Sequence, residues 1–290
     1  MSNSHAAERC TPDVSVVIPT LGGESIRETI HEINNGTVIP AEILVCIPAD
    51  EAHRVEGLSA PNVRILRTDC RGQVAQRARG FRAARSPLVL QLDDDILLER
   101  HCLERLVEFI LAAPGTAVAP ALYDRTSGEY RSYLVPNGKL TLFDRLFYWV
   151  ANGRAGFQPG NIGLAGANMG VPQSGDWRDL AWLPGGCVLH ERARLVLSDF
   201  YTFGGKAFAE DLFHSTLLTG SGVALARCGA ATCRVDFASS LSPDMIRYAR
   251  EYVEYWKRMK VFVRQIGGST IRLDLFLVLN VIRLVARKVR

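Results

Sequence analysis

Three consecutive carboxylates, Asp93-Asp94-Asp95, close the apolar run Leu88-Val89-Leu90-Gln91-Leu92. Adjacent acids repel one another, and at the end of a buried strand that repulsion is tolerable only where a cation or hydrogen-bond donors compensate it. Oxygen-only ligation by one or two carboxylates, with phosphate oxygens completing the shell, suits Mg²⁺ or Mn²⁺ rather than zinc. Such a site implies a nucleotide or another phosphate ester as substrate. The competing reading is a solvated acidic turn at the start of a helix near Leu98, where exposed backbone amides favour Asp. A second acidic pair, Glu210-Asp211, precedes Leu212, Leu217 and Leu218 at helical spacing. It reads either as reactive carboxylates or as ordinary acids decorating a helix N-terminus.

The segments that must position these acids alternate between strand and helix signals. Val14 to Ile18 is a β-branched run ended by Pro19, Glu24 to Asn34 carries Ile26, Ile30 and Ile33 at helical spacing, and Ile43 to Ile47 is a second strand ended by Pro48. Val63 to Leu66, a Gly-started helix from Gly72 to Arg85 and the run into the aspartates follow. This βαβ series predicts a parallel sheet, whose ligands sit beyond the carboxyl ends of the strands. Pro19-Thr20, Pro48 and the three aspartates all fall there. From about 120 to 240 the chain is loop-rich, interrupted by Leu140 to Ala151 with Phe143, Leu146, Phe147 and Val150 at helical spacing, either a core helix or one that dips into a membrane.

Beyond about residue 240, two helices are split by Gly267-Gly268. Met245, Ala249, Tyr252, Trp256, Met259, Val263 and Ile266 form an apolar stripe on the first; Ile271, Leu275, Val278, Ile282 and Val285 form one on the second. From Pro243 onward there are 11 Lys or Arg against 4 Asp or Glu, leaving 23 basic against 26 acidic residues in the remainder of a chain whose net charge is +4. The positive charge therefore belongs to these helices. Basic amphipathic helices suit an anionic membrane surface, and equally a cover for the sheet with a solvated basic face. The charge pattern gives no indication of nucleic-acid binding.

At 290 residues, 48% hydrophobic and 22% charged, the chain fits one large α/β domain with an appendage. Its seven cysteines are scattered without any Cys-x-x-Cys pair, which argues for a reducing compartment and against structural zinc. The first residues are polar, and no segment approaches the roughly 20 apolar residues of a membrane span. The expectation is a cytoplasmic protein, peripheral on the inner face of the cell membrane where its basic helices make contact.

The order of several short motifs resembles glycosyltransferase family 2, inverting enzymes of the GT-A fold, over roughly residues 13 to 240. The matching pieces are Val14-Ser15-Val16-Val17-Ile18-Pro19-Thr20, Gly72 with Arg77 and Gly80, Leu92-Asp93-Asp94-Asp95, Pro184-Gly185-Gly186 with Arg192, and Glu210-Asp211 followed by Leu217 and Gly220. The resemblance implies a mostly parallel central sheet flanked by helices, a nucleotide-diphospho-sugar donor, a glycan or lipid-linked acceptor, and Mg²⁺ or Mn²⁺. It also implies roles. Pro19, Thr20 and Glu24 would line the donor base and ribose, Arg77 would face the donor phosphates, and Asp94 belongs with this donor set. Asp93 and Asp95 match the metal-binding DxD pair, Asp95 as the direct ligand and Asp93 shared with the ribose. Asp211, beside Glu210, matches the catalytic base. Gly185 and Gly186 would let backbone approach the acceptor, with Trp182 as a sugar platform. The implied organisation is a tail at 1–12, a nucleotide-sugar-binding βαβ region at 13–120, an acceptor-binding and catalytic region of the same domain at 121–240, and basic amphipathic helices at 241–290.

Inverting transfer fits these residue types, since one carboxylate takes the acceptor proton while a cation neutralises the leaving diphosphate. Two positions depart from the family pattern. Ile47-Pro48 stands where an Asp usually contacts the base, which leaves the nucleotide open. Cys233-Arg234-Val235-Asp236 stands where many members carry a His, so Asp236 is either a substitute metal ligand or an ordinary surface acid. Two other enzymes compete weakly: a phosphohydrolase of the haloacid dehalogenase type using Asp93 as nucleophile, although Leu97 is atypical for it, and a dinucleotide-dependent dehydrogenase, although Pro19 to Gly23 lacks the G-x-G-x-x-G spacing. A nucleotide-sugar-binding protein at the membrane surface, without catalysis, is the non-enzymatic alternative.

Overall fold

The protein is described by a computed structural model covering residues 12–136, 138–236 and 245–288. The tail before residue 12, the 237–244 segment and the last two residues lie outside the described residues, as do the side chains of Met245, Ala249 and Val285 in the two stripes.

Strands β1 (Val14–Pro19), β2 (Glu42–Pro48), β3 (Val63–Thr68) and β4 (Leu88–Leu92) pair in parallel in the order β3-β2-β1-β4. β1 and β4 are buried throughout, as their unbroken apolar runs require. The helices between them are α1 (Ser25–Asn34), which buries Ile26, Ile30 and Ile33, and α2 (Gln73–Ala83). Gly80 explains how closely α2 lies on the sheet, since a Cβ there would come within 2.3 Å of Val17 Cγ1 and 2.6 Å of Cys46 Sγ.

The second half of the sheet is mixed. β5 (Ile96–Leu98), α3 (Cys102–Ala112), β6 (Thr116–Asp124), α4 (Leu142–Asn152), β7 (Cys187–Glu191), α5 (Glu210–Gly220) and β8 (Ala224–Val235) extend the strand order to β3-β2-β1-β4-β7-β6-β8-β5. β7 runs antiparallel to β4 and β6, and β5 runs antiparallel to β8. The sheet is therefore less uniformly parallel than the βαβ spacing predicts. The helix expected near Leu98 begins at Cys102, because Ile96–Leu98 pairs with the edge of β8 instead.

β4 and β5 stand four positions apart in the sheet, yet only Asp93, Asp94 and Asp95 lie between them. Four strand spacings of a flat sheet cover about 19 Å, whereas the chain from Leu92 to Ile96 reaches at most about 14 Å. The sheet must curl, and the aspartates form the turn that joins the interior strand β4 to the edge strand β5.

The C-terminal helices α6 (Met245–Gln265) and α7 (Thr270–Lys288) complete the fold. Met259, Phe262 and Val263 of α6 and Leu273, Phe276 and Leu277 of α7 enter a core shared with Phe147 and Tyr148 of α4, Trp182, and Leu212 and Phe213 of α5. On the first helix the expected stripe packs inward. On the second the structure differs, for Ile271, Leu275, Val278 and Ile282 are exposed and the opposite face is buried. α4 is a core helix through Phe147 and Val150, but Leu142, Leu146 and Trp149 remain outside.

Candidate active site

The carboxyl ends of β1 and β2 are tied together by an amide. Gln76 of α2 donates to the carbonyls of Thr20 at 2.8 Å and Cys46 at 2.7 Å. The Thr20 hydroxyl accepts from the Gly22 amide at 2.8 Å and donates to Asp94 Oδ2, and Thr29 of α1 donates to the Asp94 carbonyl at 2.9 Å. Asp94 thus anchors the loop after β1, its carboxyl raised by burial and by Asp93 and lowered by the Thr20 bond. Pro19 is buried in β1, and Glu24 is exposed at the start of α1.

Arg77 does not face open donor space as the resemblance implies. It is 2% exposed, and its guanidinium grips Glu210 through Nη1 (3.0 and 3.1 Å to the two carboxylate oxygens) and Asp93 Oδ1 through Nη2 at 3.0 Å. Gln73 donates to the same Asp93 oxygen at 2.7 Å. One buried cation therefore links the end of β4 to the first turn of α5, Arg77 itself lying 133 residues before Glu210 in the chain. Burial raises the Glu210 carboxyl further than Arg77 lowers it. Behind this cluster two imidazoles are kept neutral: burial, aided by Arg77, lowers His190 to about 3, and His214 is likewise held well below its usual range.

The glycines lie between the acids. A Cβ on Gly185 would stand 2.6 Å from Glu210 Oε1 and 3.3 Å from Asp211 Cβ; one on Gly186 would stand 2.5 Å from Ile96 Cδ1 and 3.2 Å from Asp93 Oδ2. Their lack of side chains makes room for carboxylates. The Gly186 carbonyl accepts from the Asp93 amide at 2.8 Å, and Gln91 donates to that of Gly185.

Asp211 is the second residue of α5, which starts at Glu210 directly after Ala209, whose φ of 59° is unusual for a residue with a side chain. Burial and then the neighbouring Glu210 charge push its carboxyl up to about 7, against the pull of the Leu212 amide, which donates to Oδ1 at 3.0 Å. Tyr133 and Tyr255 surround it closely enough that its charge adds to burial in raising both hydroxyls, Tyr133 to about 12. Trp182 is not the open platform that was expected. It is 4% exposed, its indole N–H donates to the Met169 carbonyl at 2.9 Å, and its ring packs edge-on against Tyr133 at 5.3 Å.

Asp95 is the most exposed of the triplet. Desolvation by the surrounding loop, then repulsion from Asp93 and Asp94, pushes its carboxyl up to about 6, with a smaller contribution from Asp236 beyond β8. Among the described residues no three His, Cys, Asp or Glu side chains form a metal cage by themselves. Asp93 is held through Oδ1, while Oδ2 lies on the Gly186 side. Such a pair of oxygen donors fits a hard divalent cation that takes its remaining ligands from phosphate and water.

Sequence reading misses Gln73, Gln76 and Gln91, whose amides hold the acids and strand ends. An amide inside a helix or strand carries no local signal for that role. It also misses the two tyrosines beside Asp211.

The curled sheet, with its aspartate turn and carboxylate-headed helix at one end, defines a glycosyltransferase domain of the GT-A type. The chain belongs to glycosyl transferase family 2, whose model matches residues 15–165, just over half of it. Two solved structures share the fold. One is the crystal structure of GalNAc-T7 with UDP, GalNAc and Mn²⁺, 17% identical with a TM-score of 0.56 over 79% of this chain and 45% of that one. The other is S. aureus TarS 1-349, 14% identical with a TM-score of 0.51 over 91% of this chain and 69% of that one. The chain thus spans less than half the length of GalNAc-T7. No curated protein sequence matches it.

Proposed function

We propose that the chain moves a sugar from a nucleotide-diphospho-sugar to a hydroxyl of a glycan or lipid-linked saccharide, with inversion and with Asp211 as general base. The observation that carries this reading is the Arg77 bridge, which fixes Asp93 on the donor side relative to the helix turn bearing Asp211.

In this reading Pro19, Thr20 and Glu24 border the donor base and ribose, and Asp94 acts indirectly by holding the Thr20 loop. Asp211 accepts the proton of the acceptor hydroxyl as that oxygen forms its bond to the anomeric carbon; the bond to the diphosphate breaks and the electron pair leaves with it. A base whose pKa lies near 7 is well matched to that transfer at neutral pH. Glu210 is held by Arg77, so its part is to position Asp211 and to raise its basicity. Mg²⁺ or Mn²⁺, held by Asp93 and Asp95 as their oxygen donors suit, would neutralise charge on the leaving diphosphate. The Mn²⁺ and UDP of the GalNAc-T7 crystal agree with such a requirement.

The test is a thermal-shift screen of nucleoside diphosphates with and without Mn²⁺, followed by turnover of the matching nucleotide sugar. One diphosphate should raise the melting temperature in a Mn²⁺-dependent way. Asp95→Asn, which keeps shape and removes a charge, should abolish that dependence and nearly all transfer. Full activity of Asp95→Asn, or in excess chelator, would overturn the metal assignment; binding without any turnover would leave a nucleotide-sugar-binding protein.

A further inference from the structure

We propose that the outward faces of α4 and α7 form one surface that docks on an anionic membrane. On α4, Leu142, Leu146 and Trp149 recur at spacings of four and three and are 85%, 49% and 49% exposed; on α7, Ile271, Leu275 and Val278 repeat that spacing at 73%, 52% and 58%. The helices pack together, the Phe147 and Phe276 rings lying 5.1 Å apart. Arg272 joins the two stripes, donating to the Trp149 carbonyl at 2.7 Å with its guanidinium 4.8 Å from the centre of the Trp149 ring. Arg283 similarly covers Phe147 at 4.9 Å. The apolar surface runs on into an open groove of about 530 Å³ between α7 and α6, bordered by Val253, Val281 and Ile282. Its one carboxylate, Asp274, is paired with Lys260 at 3.5 Å.

Exposed apolar patches of this extent mark an interaction surface. The charge around it selects the occupant. Arg145 is exposed on α4, and Arg272 and Arg283 edge the stripes. A second copy of the chain would bring the same basic rim into opposition, whereas anionic lipid headgroups complement it. Guanidinium groups over aromatic rings, with aliphatic side chains beside them, suit the boundary between headgroups and acyl chains. No described helix is long and apolar enough to cross a bilayer, so contact lies in the plane of the surface. The surface shares its core with α5. It stands or falls independently of the transfer reaction, because its test uses no donor.

Co-sedimentation of the full chain with vesicles of phosphatidylcholine mixed with phosphatidylglycerol, and with phosphatidylcholine alone, measures the claim across ionic strength. The chain should partition onto the mixed vesicles only, and less as salt rises. Leu146→Glu on one helix and Leu275→Glu on the other alter exposed positions, so each should melt like the parent while partitioning about tenfold more weakly or worse. Three results would overturn the proposal: no sedimentation at low salt, unchanged partitioning of both variants, or a concentration-dependent dimer in gel filtration that those substitutions abolish without any vesicle binding.

Discussion

Replacing Asp211 with Asn should separate catalysis from stability. Turnover should fall by on the order of 10² to 10⁴ while donor affinity stays close to that of the parent, because the proposed base acts on the acceptor. The folded state holds the Asp211 proton up to about pH 7, well above the ordinary aspartate value of 3.8. Its favourable contribution is therefore complete below about pH 4, declines as pH rises toward 7, and becomes a cost once the carboxylate ionises in the fold. A shift of that size corresponds to at most about 4 kcal/mol, reduced by the partly open edge of the site. The melting-temperature advantage of Asp211→Asn should grow from acid to neutral pH and then level off; a gap that ignores pH would show that the carboxyl is not perturbed. Arg77→Met should cost about 3–5 kcal/mol in chemical denaturation, since Glu210 and Asp93 would lose their shared cation. The acids themselves were legible in the sequence, because three charges after an apolar strand are conspicuous. The true partner of Arg77 was not, since Glu210 is distant in the chain and nothing local marks the pair.

Among the elements, α6 has a task beyond covering the core. Arg258 is 3% exposed and reaches back to the segment before α5: Nη2 donates to the Gly204 carbonyl at 2.6 Å, Nη1 to the Lys206 carbonyl and to the Tyr201 hydroxyl, the last at 3.2 Å. The rings of Tyr201, Phe203 and Phe208 surround the guanidinium at 5.5 to 5.8 Å. Arg258→Met keeps much of the volume and removes every donor, so amide exchange across 203–208 should accelerate and turnover should fall about tenfold, with nucleotide binding retained. Unchanged exchange in that segment would remove this role. Most strands and helices were legible from apolar periodicity. β5 was not, because Ile96-Leu97-Leu98 fits a helix start as well as an edge strand, and only pairing with β8 decides. The buried face of α7 was misread for a related reason: with Leu, Val, Ile and Phe nearly all round the helix, two apolar stripes compete and the neighbouring α4 chooses one.

For the whole molecule, the shared core makes the C-terminal helices part of the folded unit. A chain ending near residue 242 would expose Phe147, Trp182 and Phe213 and should aggregate or lose cooperative melting in calorimetry, which a removable appendage would not. The general architecture could be anticipated from the order of the motifs; the curl could not, because it follows from pairings between β5 and β8 that only the tertiary structure reveals. That curl makes the aspartate turn a clasp under electrostatic tension, joining two distant positions of the sheet with three like charges. Relief of the repulsion should be felt along the clasped edge. In hydrogen exchange, the amides of Ile96 to Leu98 should slow when Mn²⁺ and the preferred nucleoside diphosphate are added together, and Asp95→Asn should show part of that slowing with nothing bound. The turn proposed to grip the donor would then also report, through the breathing of an edge strand, whether the donor is there.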